Sequence, residues 1–137
     1  MLRSVAGILA GCILVFLLSL MANAVVLHGG PAPTLPPLLL TAMLLLMHAL
    51  AGTAGGYLAG LVAGRRPGTH GFAVGVLFLL VVQVAAGPLR TAAHPVGAQP
   101  FWFTALMLGL VVVGTTLGGA ARGEVAGTGL RSSELEH

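Results

Sequence analysis

The sequence predicts an all-α, polytopic membrane protein, built as an antiparallel bundle of four transmembrane helices. Composition is the first reason, because hydrophobic residues make up 57% of the 137-residue chain and charged residues only 7%. A soluble domain carries about 25% charged residues, and a disordered chain is poor in apolar ones, so neither class fits. The second reason is that the apolar residues form four long runs without period-two alternation, which favours helices over strands.

Each run meets or approaches the ~20 residues that cross a hydrocarbon core of about 30 Å. A Gly- and Pro-rich segment separates the first two runs, and Arg65-Arg66-Pro67-Gly68 ends the second. Pro88, Pro95 and Pro100 are expected to keep the third connection non-helical. The predicted helices are 5–27, 38–63, 71–87 and 101–121, in a single domain over residues 1–131.

The two ends of the chain receive separate interpretations. Residues 132–137 are expected to form a tail, and at least 135–137 resemble the start of a vector-encoded polyhistidine tag. At the other end, the apolar run continues past Cys12, so we expect a retained helix and not a cleaved leader.

Arginine placement predicts the orientation. The chain has no Lys, and with four spans both termini and the 64–70 connection share one side. That side is expected to be cytoplasmic, in a bacterial inner membrane, because positive residues accumulate there. Six arginines on a nearly uncharged body do not make a nucleic-acid surface. The cytoplasmic side would hold Arg3, Arg65, Arg66, Arg122 and Arg131, and the outer side Arg90.

Small residues recur in pairs every four positions along the second run, which predicts a flat strip on one helical face. In lipid, helices associate through close backbone approach and packing, and such a strip permits both. We therefore expect the strip to lie inside the bundle or at an oligomer interface. Single glycine pairs at 7/11, 71/75 and 114/118 are weaker signals of the same kind. The expected packing residues are Gly52, Gly55, Gly56, Gly60 and Gly64.

Polar residues within the spans are few, and three of them share the outer half of the predicted bundle: Asn23, His48 and Gln83. One hypothesis is a polar cavity open to the outside, with His48 at its floor. The alternative is that the three bond to each other or to backbone between helices, at an average of about 0.6 kcal/mol for each bond.

Motifs for catalysis are missing from the sequence. The spans contain no carboxylates for acid–base work, no nucleophile beside a histidine, no phosphate loop and no metal-ligand cluster. We therefore expect no enzyme, cofactor or metal site. Two functions remain open: a helix-packing subunit or assembly factor that associates with itself or with a larger membrane protein, and a small homo-oligomeric transporter or channel that binds a small molecule.

Overall fold

The chain folds into four helices. The computed structural model describes residues 2–24, 36–64, 66–92 and 101–134, with side chains except at 37, 83, 85–92, 101 and 125–134. No strand occurs within these residues, which confirms the predicted all-helical class. The helices are α1 (Leu2–Ala24), α2 (Pro37–Ala63), α3 (Pro67–Ala92) and α4 (Phe101–Glu134).

Three of the helices, α1, α2 and α4, are long and apolar enough to cross a membrane. The described apolar part of α3, Pro67–Val82, is shorter than the other three. Large apolar side chains are exposed on every helix, among them Phe16, Leu50, Phe72 and Leu117. This apolar exterior is the arrangement that a lipid environment stabilises.

The limits of α3 differ from the sequence expectation at both ends. The helix begins at Pro67 and not at residue 71, because proline suits the first helical position, where no N–H donor is needed. It continues to Ala92 and includes Pro88, which was expected to end it. Proline removes one backbone hydrogen bond but keeps a helical φ, and membrane helices tolerate it.

The limits of α1 and α4 differ as well. In α1 the helix starts at Leu2, while the predicted residues 25–27 lie outside the described part of the chain. In α4 the helix continues to Glu134, past the expected end at 121, and so takes in residues 132–134 of the expected tail. The sequence from 122 to 134 contains no proline that would stop it. Residues 135–137 lie outside the described residues.

A tight turn joins α2 to α3. Gly64 has a left-handed φ of 68°, and its N–H donates to the Gly60 carbonyl at 3.1 Å, which caps α2. A Cβ on Gly64 would meet no atom within 4 Å. The expectation that Gly64 extends the packing strip is therefore corrected: this glycine is needed for its φ. Arg66, with a φ of 46°, follows just before Pro67.

The helix contacts fix which segments lie side by side. A Cβ on Gly7 would lie 3.2 Å from the Ala63 nitrogen, and one on Gly11 would lie 2.6 Å from the Gly55 carbonyl oxygen. Residue numbers therefore rise along α1 as they fall along α2. The α3–α4 contacts also run in opposite senses, whereas Gly52 meets Val111 and Gly60 meets Gly119, so α2 and α4 run in the same sense. The larger cluster of buried apolar residues comprises Val15, Ala59, Val74, Phe78, Leu108 and Val111, and a second cluster contains Leu44 and Phe103.

Candidate functional site

Three small pairs of α2 face two different partners: Ala51-Gly52, Gly55-Gly56 and Ala59-Gly60. The first member of a pair contacts α1: a Cβ on Gly55 would clash with the Val15 side chain and lie 2.8 Å from the Gly11 carbonyl oxygen. The second member contacts α4: a Cβ on Gly52 would lie 2.8 Å from the Val111 carbonyl oxygen. Adjacent residues on a helix point about 100° apart. Small pairs therefore allow α2 to sit between two close neighbours at once.

Glycines from both helices make the α2–α4 contact. A Cβ on Gly56 would overlap the Thr115 carbonyl oxygen of α4. In the reverse direction, a Cβ on Gly118 of α4 would overlap the Thr53 carbonyl oxygen, and one on Gly114 would lie 2.6 Å from the Ala49 carbonyl oxygen. Neither helix could carry larger residues here without separating the two backbones.

Thr115 is the point at which three helices meet. Its side chain is fully buried, and its Oγ1 donates to the Val112 carbonyl at 2.9 Å within α4. Both Gly71 and Gly75 of α3 approach Thr115, and a Cβ on Gly71 would overlap its carbonyl oxygen. The hydroxyl is thus satisfied locally, while its backbone is enclosed by the glycines of α2 and α3.

His48 lies in the interior, one turn before Gly52, with only 1% of its surface exposed. Its Nδ1 is 2.8 Å from the Leu44 carbonyl oxygen of the same helix. Since a carbonyl oxygen only accepts, the Nδ1–H of His48 donates in this bond. The ring is therefore held by its own helix.

Asn23, the second member of the predicted polar set, does not extend this bond. Asn23 is half-buried, and its Nδ2 donates to the Ser19 carbonyl at 2.8 Å, again within one helix. Gln83 lies in α3, but its side chain is outside those described. Ser19 itself is buried, and its Oγ has no hydrogen-bond partner in the described part of the chain. The bonds described for Asn23 and His48 therefore stabilise side-chain positions and do not link helices.

The apolar cavities between the helices include two that lie among the described residues, and neither of these is lined by Asn23 or His48. The larger, of about 400 Å³, lies between α1 and α2 on the half of those helices away from the tight turn. The smaller, of about 240 Å³, lies between α1 and α3 and includes Cys12 and Phe78 in its lining. The larger cavity is lined by Leu18, Met21, Ala22, Met47, Leu50, Ala51 and Ala54.

Sequence reasoning missed the two-sided role of the α2 pairs and the position of Thr115. The signal for the first was present, because pairs spaced by four present two adjacent rows and not one. The position of Thr115 also had a signal in the sequence. The weaker glycine pairs at 71/75 and 114/118 are spaced by four residues, like the strip on α2. Those glycines lie on both sides of the same three-helix contact.

No protein-family model, curated protein or solved structure matches this chain. Its function is therefore inferred from the described geometry.

Proposed function

We propose that this chain is a non-catalytic, multi-pass protein of the bacterial inner membrane, which acts as a helix-packing subunit or as an assembly or accessory factor. All four helices span the bilayer as an antiparallel bundle, with both termini in the cytoplasm. For α3 this uses the whole helix, whose 26 residues extend about 39 Å at 1.5 Å per residue. The exposed apolar side chains on every helix support this placement.

The observation that carries the proposal is that the backbones of neighbouring helices approach each other closely in the interior. Glycines of all four helices approach carbonyl groups of a neighbouring helix within the described chain, and Thr115 is enclosed from two sides. A transporter or channel needs a path lined by polar groups, and such groups inside a membrane protein usually mark that path. Here His48 is almost fully buried and bonded to its own helix. This arrangement favours the packing function over the transport alternative.

The packing strip cannot also receive a partner protein. Gly52, Gly55, Gly56 and Gly60 are all buried against α1, α3 or α4 of the same chain. A second copy or a larger membrane protein must therefore contact the outer faces of the helices. Of the two locations expected for the strip, the contacts favour the interior of the bundle, where the strip holds the subunit together.

Solvent access to His48 tests the proposal against its alternative. We would introduce His48→Cys in a Cys12→Ser background and treat intact membranes, from each side, with a charged, membrane-impermeant thiol reagent. Only a thiolate in contact with water reacts, so His48→Cys should remain unlabelled. The exposed position Arg66→Cys is the matched positive control. Labelling of His48→Cys at the rate of Arg66→Cys would overturn the packing function and support a small homo-oligomeric transporter or channel.

Partner contact is tested separately by photo-crosslinking in cells. A photoreactive amino acid would replace the exposed Leu50 or Leu117, and the buried Val111 would serve as the control. We expect discrete crosslinked products, larger than the chain alone, from at least one exposed position and none from Val111. Exposed positions on all four helices that yield only lipid adducts would contradict a role in assembly.

A further inference from the structure

Four parts of the chain meet at one end of the bundle. The contact of Gly7 with Ala63 places the start of α1 beside the end of α2. A Cβ on Gly60 would lie 2.8 Å from the Cβ of Pro67, and one on Gly123 would lie 3.0 Å from the Cγ of Pro67. The start of α1, the α2–α3 turn and the 119–124 segment of α4 therefore lie at the same level.

Every charged side chain that the structure describes lies at this end. Arg3 and Arg66 are exposed and Arg122 is half-buried, while Glu124 is the one described acid. Three cations against one anion leave an excess of two positive charges. We call these three arginines the arginine cluster: Arg3 comes from α1, Arg66 from the turn and Arg122 from α4.

Local contacts place two members of the arginine cluster. Arg66 adopts a left-handed φ of 46°, and its carbonyl accepts from the Thr69 and His70 N–H groups at 3.1 and 3.3 Å. The Nδ1 of His70 is also 3.0 Å from that carbonyl. A Cβ on Gly60 would lie 3.5 Å from the Cβ of Arg122, so the Arg122 side chain starts against the bundle surface. Both arginines thus project from ordered backbone at the end of the apolar parts of the helices.

We propose that the arginine cluster binds the phosphate groups of anionic phospholipids. The inference rests on the proposed residence in the membrane. A guanidinium presents donors in a planar fork that matches a phosphate, and it stays charged at all physiological pH values. The cytoplasmic leaflet is rich in anionic lipid, which attracts basic residues next to the membrane. Phosphate groups of that leaflet would lie at the same level as the arginine cluster.

The test measures lipid retention by the purified full-length chain. Membranes would first be washed with alkaline carbonate, and the chain should remain in the pellet as an integral protein. Native mass spectrometry in detergent would then count phosphatidylglycerol and phosphatidylcholine bound from equimolar mixtures. We expect selective retention of phosphatidylglycerol. Arg66→Gln should weaken it about fivefold and Arg66→Gln with Arg122→Gln about 25-fold, at about fivefold for each arginine, with a smaller effect at high salt.

The control is Arg90→Gln, which removes the same charge from α3 at a distance of roughly 34 Å along the helix from Pro67. This variant should retain phosphatidylglycerol like the original chain. Equal binding of both lipids, or an equal loss in Arg90→Gln, would overturn the proposal. Displacement of phosphatidylglycerol by millimolar inorganic phosphate would instead assign the cluster to a free phosphate. Loss of the chain from the pellet in the carbonate wash would overturn the membrane placement itself. A negative lipid result would overturn only the binding of anionic lipid, because the packing function is tested separately by the labelling of His48→Cys.

Discussion

The two halves of the α1–α2 pair are packed in opposite ways. Near the α2–α3 turn, Gly7 and Gly11 of α1 lie against Ala59 and Gly55 of α2, at distances that leave no room for larger side chains. In the other half, the same two helices leave an open cavity of about 400 Å³ between them. One pair of helices is thus closed at one end and open at the other.

The two halves differ in the side chains that α1 contributes to the contact with α2. In the closed half, the small residues of α2 face glycines of α1. In the open half Ala51 and Ala54 are also small, but Leu18 and Met21 of α1 line the same space. Bulky side chains hold the backbones apart there, because lipid provides no hydrophobic force that would close the gap.

The largest effect is expected where the closed region is tightest. In Gly56→Leu the new side chain would occupy the position of the Thr115 carbonyl, which is backbone and cannot rotate away. Overpacking costs typically about 1–3 kcal/mol, and we expect a loss of more than about 3 kcal/mol of unfolding free energy here. The measurement is unfolding in mixed micelles, followed by circular dichroism as the fraction of denaturing detergent rises.

The matched control for that variant is Gly109→Leu on α4, where a Cβ would meet no atom within 4 Å. Leucine also favours a helix over glycine by about 1 kcal/mol, so this change should be neutral or slightly stabilising. Equal losses in both variants would show that the contact at Thr115 does not limit stability.

His48 lies next to Met47 of the open cavity, but its side chain is buried and does not line that cavity. The variant His48→Ala removes the largest fully buried side chain and leaves a void, at an expected cost of about 2 kcal/mol or more. The half-exposed Tyr57→Ala should cost less than about 0.5 kcal/mol by the same unfolding measurement. Comparable costs would mean that His48 is not packed as the structure has it.

A smaller effect is expected at the turn, where backbone conformation and not packing is at stake. The left-handed φ of Gly64 makes Gly64→Ala unfavourable by about 1 kcal/mol, although the side chain would have free space. The control Gly68→Ala lies in the first turn of α3, and its Cβ would be 4.0 Å from Ala120, an ordinary contact. That variant should match or exceed the original thermal stability in detergent. A neutral Gly64→Ala would contradict the cap.

The sequence was sufficient to predict the helices but not to predict which helices pack against each other. Long apolar runs predict helices because the bilayer leaves few other ways to satisfy the backbone, and that class is confirmed. Proline was a misleading boundary signal, since Pro88 lies within α3 and Pro67 begins it. The period of the α2 pairs could predict close packing. It could not show that α1 and α4 use different rows, because that depends on residues distant in sequence, such as Val15 and Thr115.

For the polar set, the sequence could not show which group each side chain bonds to. Sequence position gives the depth of Asn23 and His48 in the predicted bundle, but a side chain can bond to its own helix or to a neighbour at the same depth. Both described bonds run to carbonyls four residues earlier in the same helix. Such local bonds are always available to a helical side chain of the right length, so depth alone could not distinguish a cavity from satisfied groups.

The smallest effect is expected at Ala54, whose neighbour Gly55 belongs to the other half of the comparison. Ala54 lines the open cavity, whereas Gly55 lies against Val15 and Gly11 in the closed half. Ala54→Leu places its added atoms in empty space, where new van der Waals contacts should raise the unfolding free energy by up to about 1 kcal/mol. Gly55→Leu adds the same atoms one residue later and should destabilise, because the carbonyl of Gly11 stands in their path. Opposite signs from adjacent positions in one unfolding assay would show that the open half is unfilled space, while a loss from Ala54→Leu would show that α1 and α2 are already in contact there.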